Sequence, residues 1–325
     1  MKFTENTLFK DYAVFWLENY VRGFVKDNTY MGTYYRQTHN ALIPYFGNMA
    51  ISDIKSSIIQ EFFNIQGKRY SLETMKKMRF CLSNILQVAV DDEIISKNPL
   101  NKRIRLKSNI EPIEKHVWNR EHFECAYRFA LLHPQGLGPL LLMDTAISRS
   151  ELLGITWNDI IWEKAAVAIR NGTIATHHPD TKKYYILTDG LKNKYRMRNI
   201  PLSKDVCNRL KLHYQHILFS GQRKGLTQNQ INKQFVISNQ KGGVMDPNNW
   251  AKRNFKRFMN DLTSQYPEIP ILTPHELRHT RATLWWQEGV DLLSIGFAGG
   301  WSDLRMLRER YAHSNIEHLK KALKR

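Results

Sequence analysis

The chain has 325 residues, enough for two domains with real cores, and a formal net charge of +18 from 48 Lys and Arg against 30 Asp and Glu. A field of that sign attracts polyanions, and no apolar run approaches a membrane span, while the opening Met1-Lys2-Phe3-Thr4-Glu5 is unlike a signal peptide. A membrane role is therefore set aside in favour of a cytoplasmic, nucleoid-associated protein with a nucleic-acid partner.

Apolar residues Leu8, Tyr12, Phe15, Trp16 and Tyr20 recur at helical spacing from Thr7 to Phe24. A second helix is expected from Thr33 to Ile43, ending at the breaker Pro44-Tyr45-Phe46-Gly47. Ser52-Asp53-Ile54 opens a third helix that runs through Phe62. Ser71 caps a fourth, with Met75, Met78, Leu82, Ile85, Leu86 and Ala89 on one stripe and Lys76, Lys77 and Arg79 mostly off it. Residues 1–107 thus read as a helical domain with basic surfaces.

Residues 108–118 read as the interdomain linker, within a polar, basic and non-periodic stretch from Asn101 to Lys115. Lys102, Arg103, Arg105 and Lys107 suit a tether along a DNA backbone, because each cation near phosphate displaces a counterion. They equally suit a solvated linker.

The second domain, 119–325, starts at a helix near Trp118-Asn119-Arg120-Glu121 and continues into the apolar run Gly138 to Met143. Strand-like pieces follow at Ala166–Arg170, Tyr184–Thr188 and Arg196–Leu202, joined by polar turns containing Gly172 and Gly190. The fold class expected is mainly α with a small antiparallel sheet, an α+β second domain behind a helical first one. The last helix, Ile316 to Lys324, carries Ile316, Leu319 and Leu323 on one side and is too short to stand alone.

Cys81, Cys125 and Cys207 are odd in number and widely spaced, so neither a disulfide framework nor a zinc knuckle is indicated. His177 and His178 beside Asp180 read as solvated. No metal is assigned.

Chemistry concentrates near the C-terminus. Thr273 and Glu276 have capping-box spacing with Pro274 at the first helical position, which predicts a helix start there. His275 and Arg278 then share a face of its first turn, beside free backbone N–H groups and the positive end of the helix dipole. Taken alone, His-x-x-Arg is more often a capped helix with a packed His and a surface Arg.

Four segments in order change that balance. Ser148-Arg149-Ser150-Glu151-Leu152-Leu153-Gly154, the lysine-bearing Leu191 to Leu202, Thr273 to His279, and Ala298-Gly299-Gly300-Trp301 with Arg310-Tyr311-Ala312-His313 resemble the active-site boxes of the tyrosine recombinase, or phage integrase, family. Asp246-Pro247-Asn248-Asn249 is similar to the family as well. The likeness covers nearly the whole chain, and the segment order is most like that of integrases of prophages or conjugative elements. It implies a helical core-binding (SAM-like) domain and a catalytic domain that grip duplex attachment sites as a homo-tetramer on paired sites, with an accessory DNA-bending or directionality factor as a further partner.

The resemblance also implies the roles. Arg149 and Arg278 clamp the phosphate, Lys192 is the general acid with Lys194 as its rival or a DNA contact, and His275 is a general base or phosphate contact. Tyr311 is the nucleophile, joined to the 3′ phosphate so that religation needs no cofactor. The chemistry asks for such groups: a tyrosine hydroxyl, with a pKa near 10, is a poor nucleophile unaided, and arginine is always ionised and bidentate. Most members carry histidine where Trp301 sits. This Cre-like tryptophan donates an N–H but cannot shuttle a proton, which fits a supporting role. The Trp301–Tyr311 interval is one residue longer than the family pattern. Two other readings share these residues: a type IB topoisomerase-like enzyme, and a catalytically inactive architectural DNA-binding protein. His279 is expected to buttress its helix, and His313 to be exposed.

Overall fold

A computed structural model describes residues 3–111, 116–190, 196–301 and 303. The chain divides into two compact units, Met1–Glu114 with Thr176–Tyr185, and Lys115–Ala175 with Ile186–Arg325.

The first unit is helical. Phe9, Tyr12, Ala13 and Trp16 recur at helical spacing and are all buried in the Phe9–Trp16 helix, which continues as a wider π-helical turn over Leu17–Val21. The Ser56–Gln66 and Leu72–Asp91 helices complete the core, and the stripe from Met75 to Ala89 faces inward as its periodicity predicts. Ring contacts dominate the interior, with Phe46 4.9 Å from Phe62 and 5.6 Å from Phe9.

Two boundaries differ from the sequence reading. Pro44 does not break the chain: the helical run continues through it, from the π-helical Thr38–Leu42 into Ile43–Phe46, and the wider π winding just before it accommodates a residue without an N–H. Ser52-Asp53-Ile54 does not open the third helix either: Ile51–Asp53 is a short 3₁₀ turn, extended residues at Ile54 and Lys55 interrupt it, and the helix starts at Ser56.

The basic stretch after Leu100 is also ordered differently from a free tether. Ile104 is buried and Leu106 half-buried while Lys102, Arg103, Arg105 and Lys107 face outward. Arg79 donates to the carbonyls of Ile104 (2.8 Å) and Asn101 (3.1 Å). Gln60 exchanges hydrogen bonds with the Arg105 backbone at 2.8 and 3.0 Å. An irregular apolar alternation, masked by the charges, docks this stretch on the helical core.

In the second unit, Trp118 is buried and its indole N–H donates to the Pro270 carbonyl at 2.7 Å. The Leu137–Thr145 helix is almost wholly buried and packs against the Pro274–Gln287 helix. Strands β1 (Ile160–Ile161), β2 (Ala166–Ile169), β3 (Asn171–His177), β4 (Tyr184–Gly190) and β5 (Arg198–Pro201) form two small sheets, a three-stranded β1-β2-β5 and a two-stranded β3-β4. The β2–β5 register is antiparallel, pairing Val167 with Ile200 and Ile169 with Arg198.

Gly172 and Gly190, expected in turns, lie inside β3 and β4. Asn171 to His177 lacks an apolar alternation, so its strand was not visible in the pattern; close approach of the Gly154 Cα to the Asn171 carbonyl holds its start, since a Cβ there would sit 2.8 Å from that oxygen. Among the described residues no helix is long and apolar enough to cross a membrane.

Candidate active site

Two capped helices open onto one cleft. Thr273 caps the Pro274–Gln287 helix: its hydroxyl accepts from the Glu276 amide, and the Glu276 carboxylate accepts from the Thr273 amide at 2.7 Å. Ser148 and Glu151 form the same reciprocal box at the Arg149–Leu152 helix. The preceding helix ends at Ala146 in the left-handed region (φ 53°), a conformation that costs a non-glycine residue about 1–2 kcal/mol and swings the chain toward the cleft. Ser148, Arg149, Ser150, Thr273, Pro274, His275 and Arg278 line a cavity of about 380 Å³.

Beneath the cleft lies a charge node. The Glu151 carboxylate is 1% exposed and meets Arg198 at 2.9 Å and Arg278 at 3.5 Å, while the Ser148 amide and hydroxyl both donate to it at 2.8 Å. Burial alone raises its pKa, but the Arg198 hydrogen bonds and charge, the Ser148 amide and the Arg278 charge outweigh that and hold it below the usual carboxylate range. One carboxylate between two guanidinium groups leaves the node with net positive charge, beside a cavity that also carries Arg149. That balance suits a phosphate anion.

The last turn of the Leu292–Gly299 helix is tied to the node from both sides. Arg278 donates to the Gly299 carbonyl at 2.6 Å and Arg198 to the Ala298 carbonyl at 2.8 Å. Trp301 is half-buried, with the Arg278 guanidinium 4.1 Å from its ring centroid and the His279 ring at 5.7 Å. The two glycines before it have separate reasons. A Cβ on Gly299 would overlap the Trp301 indole at 1.9 Å, and Gly300 adopts φ +70° with a Cβ position 2.8 Å from the Arg198 guanidinium. His279 is buried, and its Nε2 lies 3.1 Å from Nε2 of His275, so one imidazole donates to the other.

Of the residues singled out from the sequence, Arg149, His275 and Arg278 share the cleft and Trp301 stacks on Arg278. Lys192, Lys194, Tyr311, His313 and the final helix from Ile316 to Lys324 lie outside the described residues. Lys76 and Lys77 are exposed in the first unit, where Lys76 pairs with Glu73 at 2.6 Å. Arg79 is half-buried and serves backbone carbonyls.

Glu151 and Arg198 were not singled out. Glu151 had a readable signal in the Ser-x-x-Glu spacing, and Arg198 had one in the β5 alternation, which puts it on the inward face with Ile200.

The chain is similar to known proteins over most of its length. Residues 135–318 match the profile of the phage integrase family, and residues 8–65 match that of the phage integrase N-terminal SAM-like domain. A tyrosine recombinase XerC-like protein of Caldanaerobacter subterraneus is 28% identical over 92% of this chain and 77% of its own length. The transposase from transposon Tn916 of Enterococcus faecalis is 23% identical over 86% of this chain and 68% of its own. Among solved structures, the Tn1549 transposon integrase in complex with a circular intermediate DNA superposes with a TM-score of 0.76 at 22% identity, covering 98% of both chains. A lambda integrase dimer bound to a core site gives 0.65 at 14% identity, covering 92% of this chain and 97% of that one.

The catalytic-domain match alone spans more than half of the sequence, and the chain belongs to the phage integrase family, the tyrosine recombinases that cleave and rejoin DNA at specific sites.

Proposed function

We propose that this site-specific recombinase integrates or excises a mobile DNA element, acting on double-stranded attachment sites through a covalent 3′-phosphotyrosine intermediate. The observation that carries the reading is the convergence of Arg149, His275 and Arg278 on one cleft at the start of a capped helix, above a buried node of net positive charge.

In this reading the scissile phosphate sits in the cleft, with Arg149 and Arg278 on its non-bridging oxygens, where negative charge grows in the transition state. Tyr311 forms the new O–P bond as the bond from phosphorus to the 5′ oxygen breaks. His275 takes the tyrosine proton or holds the phosphate, and Lys192 delivers a proton to the leaving 5′ oxygen, with Lys194 as the competing donor. Trp301 supports Arg278 and offers its indole N–H to the phosphate. Attack by the 5′ hydroxyl of a partner strand reverses these steps and frees Tyr311.

Residues 1–107 act as the core-binding domain, 108–118 as the basic linker and 119–325 as the catalytic domain. Lys76, Lys77, Lys102, Arg103, Arg105 and Lys107, all exposed, and Lys194 contact the phosphate backbone. Arg79 contributes by holding the 101–104 backbone in place. Four copies assemble on two paired sites, aided by an accessory DNA-bending or directionality factor.

Covalent trapping tests the reading. Nicked duplexes from DNA flanking the gene, incubated with the protein in EDTA, are expected to yield a denaturation-resistant adduct that peptide mapping places on Tyr311. An adduct on another residue displaces Tyr311 from the site. Tight binding of the same duplexes with no adduct defeats the catalytic reading.

A further inference from the structure

The chemistry so far uses residues that face the cleft. Arg198 does not, yet every nitrogen of its guanidinium is engaged beneath it. Its side chain is 0% exposed. The guanidinium donates to both Glu151 oxygens (2.9 and 3.3 Å), to the Arg196 carbonyl (2.7 Å) and to the Ala298 carbonyl (2.8 Å). Two of these acceptors lie on stretches remote in sequence, the helix that starts at Arg149 and the helix end before Trp301, and the third is two residues back in Arg198's own lysine-bearing segment. Gly300 lies flat against the same guanidinium, with room for no Cβ.

We infer that Arg198 is a positioning residue of the strand-transfer reaction, fixing the 298–301 turn, and with it the chain running on to Tyr311, to the carboxylate that also orients Arg278. The inference rests on Tyr311 being the nucleophile. Stability alone is a poor reason for such a group, because a buried ion pair is commonly matched or bettered by apolar residues of similar volume. Geometry is a better one. A planar fork with fixed N–H directions reaches carboxylate and carbonyls at once, whereas a lysine ammonium is a compact point charge that keeps the pairing with Glu151 but not the simultaneous Ala298 bond. Arg278 fixes the next carbonyl, Gly299, from the same carboxylate. The turn is therefore pinned at two consecutive peptides by two arginines sharing one counter-charge. Loss of one pin lets the nucleophile segment shift relative to the phosphate clamp while the clamp itself stays.

The test uses the full chain and nicked duplexes from the gene's flanking DNA, with Arg198→Lys, which keeps the charge opposite Glu151, and Gly300→Ala, which presses on the same guanidinium from the other side. Four quantities are read: melting temperature, dissociation constant for the duplex, single-turnover rate of adduct formation, and that rate on a duplex with a bridging 5′ phosphorothiolate. The expected result for Arg198→Lys is a dissociation constant within about twofold of wild type and adduct formation slowed roughly 30- to 100-fold, the scale of an ångström-level misplacement. Gly300→Ala slows it in the same direction. The phosphorothiolate, which needs no proton on its leaving group, restores neither.

Rates within threefold of wild type overturn the inference. So does loss of binding and of melting temperature together in both variants, which marks a merely structural residue. Restoration by the phosphorothiolate also overturns it, because it places the defect in leaving-group protonation. If wild-type protein itself forms no adduct on the same duplex, the recombinase mechanism fails first and this inference falls with it.

Discussion

In the first unit the interior is largely ring against ring, Phe46 against Phe62 and Phe9, and its buried polar groups are uncharged, such as Thr38, Gln37 and the Tyr12 hydroxyl that donates to Asp92 at 2.6 Å. In the second unit the interior beside the cleft holds Glu151 between Arg198 and Arg278. An apolar core is held by area and shape, so volume-conserving changes are tolerated. A charge node is held by pairing, so removing one member strands the others. The second arrangement is less forgiving. On the proposed mechanism it lies where a phosphate anion must be met by fixed, desolvated cations, which would account for its presence.

The sharpest way to break this contrast is Arg278→Ala. Single-turnover cleavage is expected to fall by about 10²- to 10³-fold, as on removal of one preorganised donor to a developing oxyanion. Phe62→Leu in the first unit should leave the rate per folded molecule unchanged. A cleavage rate within fivefold of wild type for Arg278→Ala would remove this residue from the phosphate clamp.

Stability comes next. Glu151→Gln keeps the volume but leaves two buried guanidinium groups without their anion, and urea denaturation should show a loss of about 3–5 kcal/mol. Phe62→Leu should cost less, roughly 1–1.5 kcal/mol, because the core can repack around it. The contrast collapses if the order is reversed.

The node also sets a pH dependence. The folded pKa of Glu151 is depressed below its ordinary value of 4.5, so its contribution is complete above that value and is lost as pH falls through the lower folded one. The stability gap between wild type and Glu151→Gln, followed by urea titration, should therefore be constant near neutrality and narrow on acidification below about pH 4.5. A gap that widens in acid would mean that the carboxylate is not held ionised by its partners.

The smallest stability effect is expected at the surface. Lys77→Ala should change stability by less than about 0.5 kcal/mol. The slope of log affinity against log salt should become shallower by about 1 as one phosphate contact is lost. An unchanged slope would take Lys77 off the DNA-facing surface.

The same division governs what could be read in advance. The helix from Leu72 to Asp91 was legible because its stripe from Met75 to Ala89 repeats at the helical period, and the start at Pro274 because a capping box is a local device. Where local rules competed, reading faltered. Pro44 is a breaker only if its N–H is needed, and whether it is needed depends on how the π-helical residues before it are wound. Ile104 and Leu106 were hidden among cations because burial of a short irregular stretch is decided by the surface it lands on.

The sequence by itself determined the helical first domain, the mixed second one, the basic character and the order of the recombinase boxes, since each is written in spacing, charge or short-range capping. Only the tertiary structure decided that Arg149, His275 and Arg278 share one cleft, that Trp301 lies on Arg278, and that Glu151 ties Arg198 and Arg278 to the 298–301 turn. Apart from His275 and Arg278, which share one helical turn, those partners lie far apart along the chain, and nothing in the local pattern of any one of them names the others. Their pairing follows from the packing of helix on helix and strand on strand that buries the charges together.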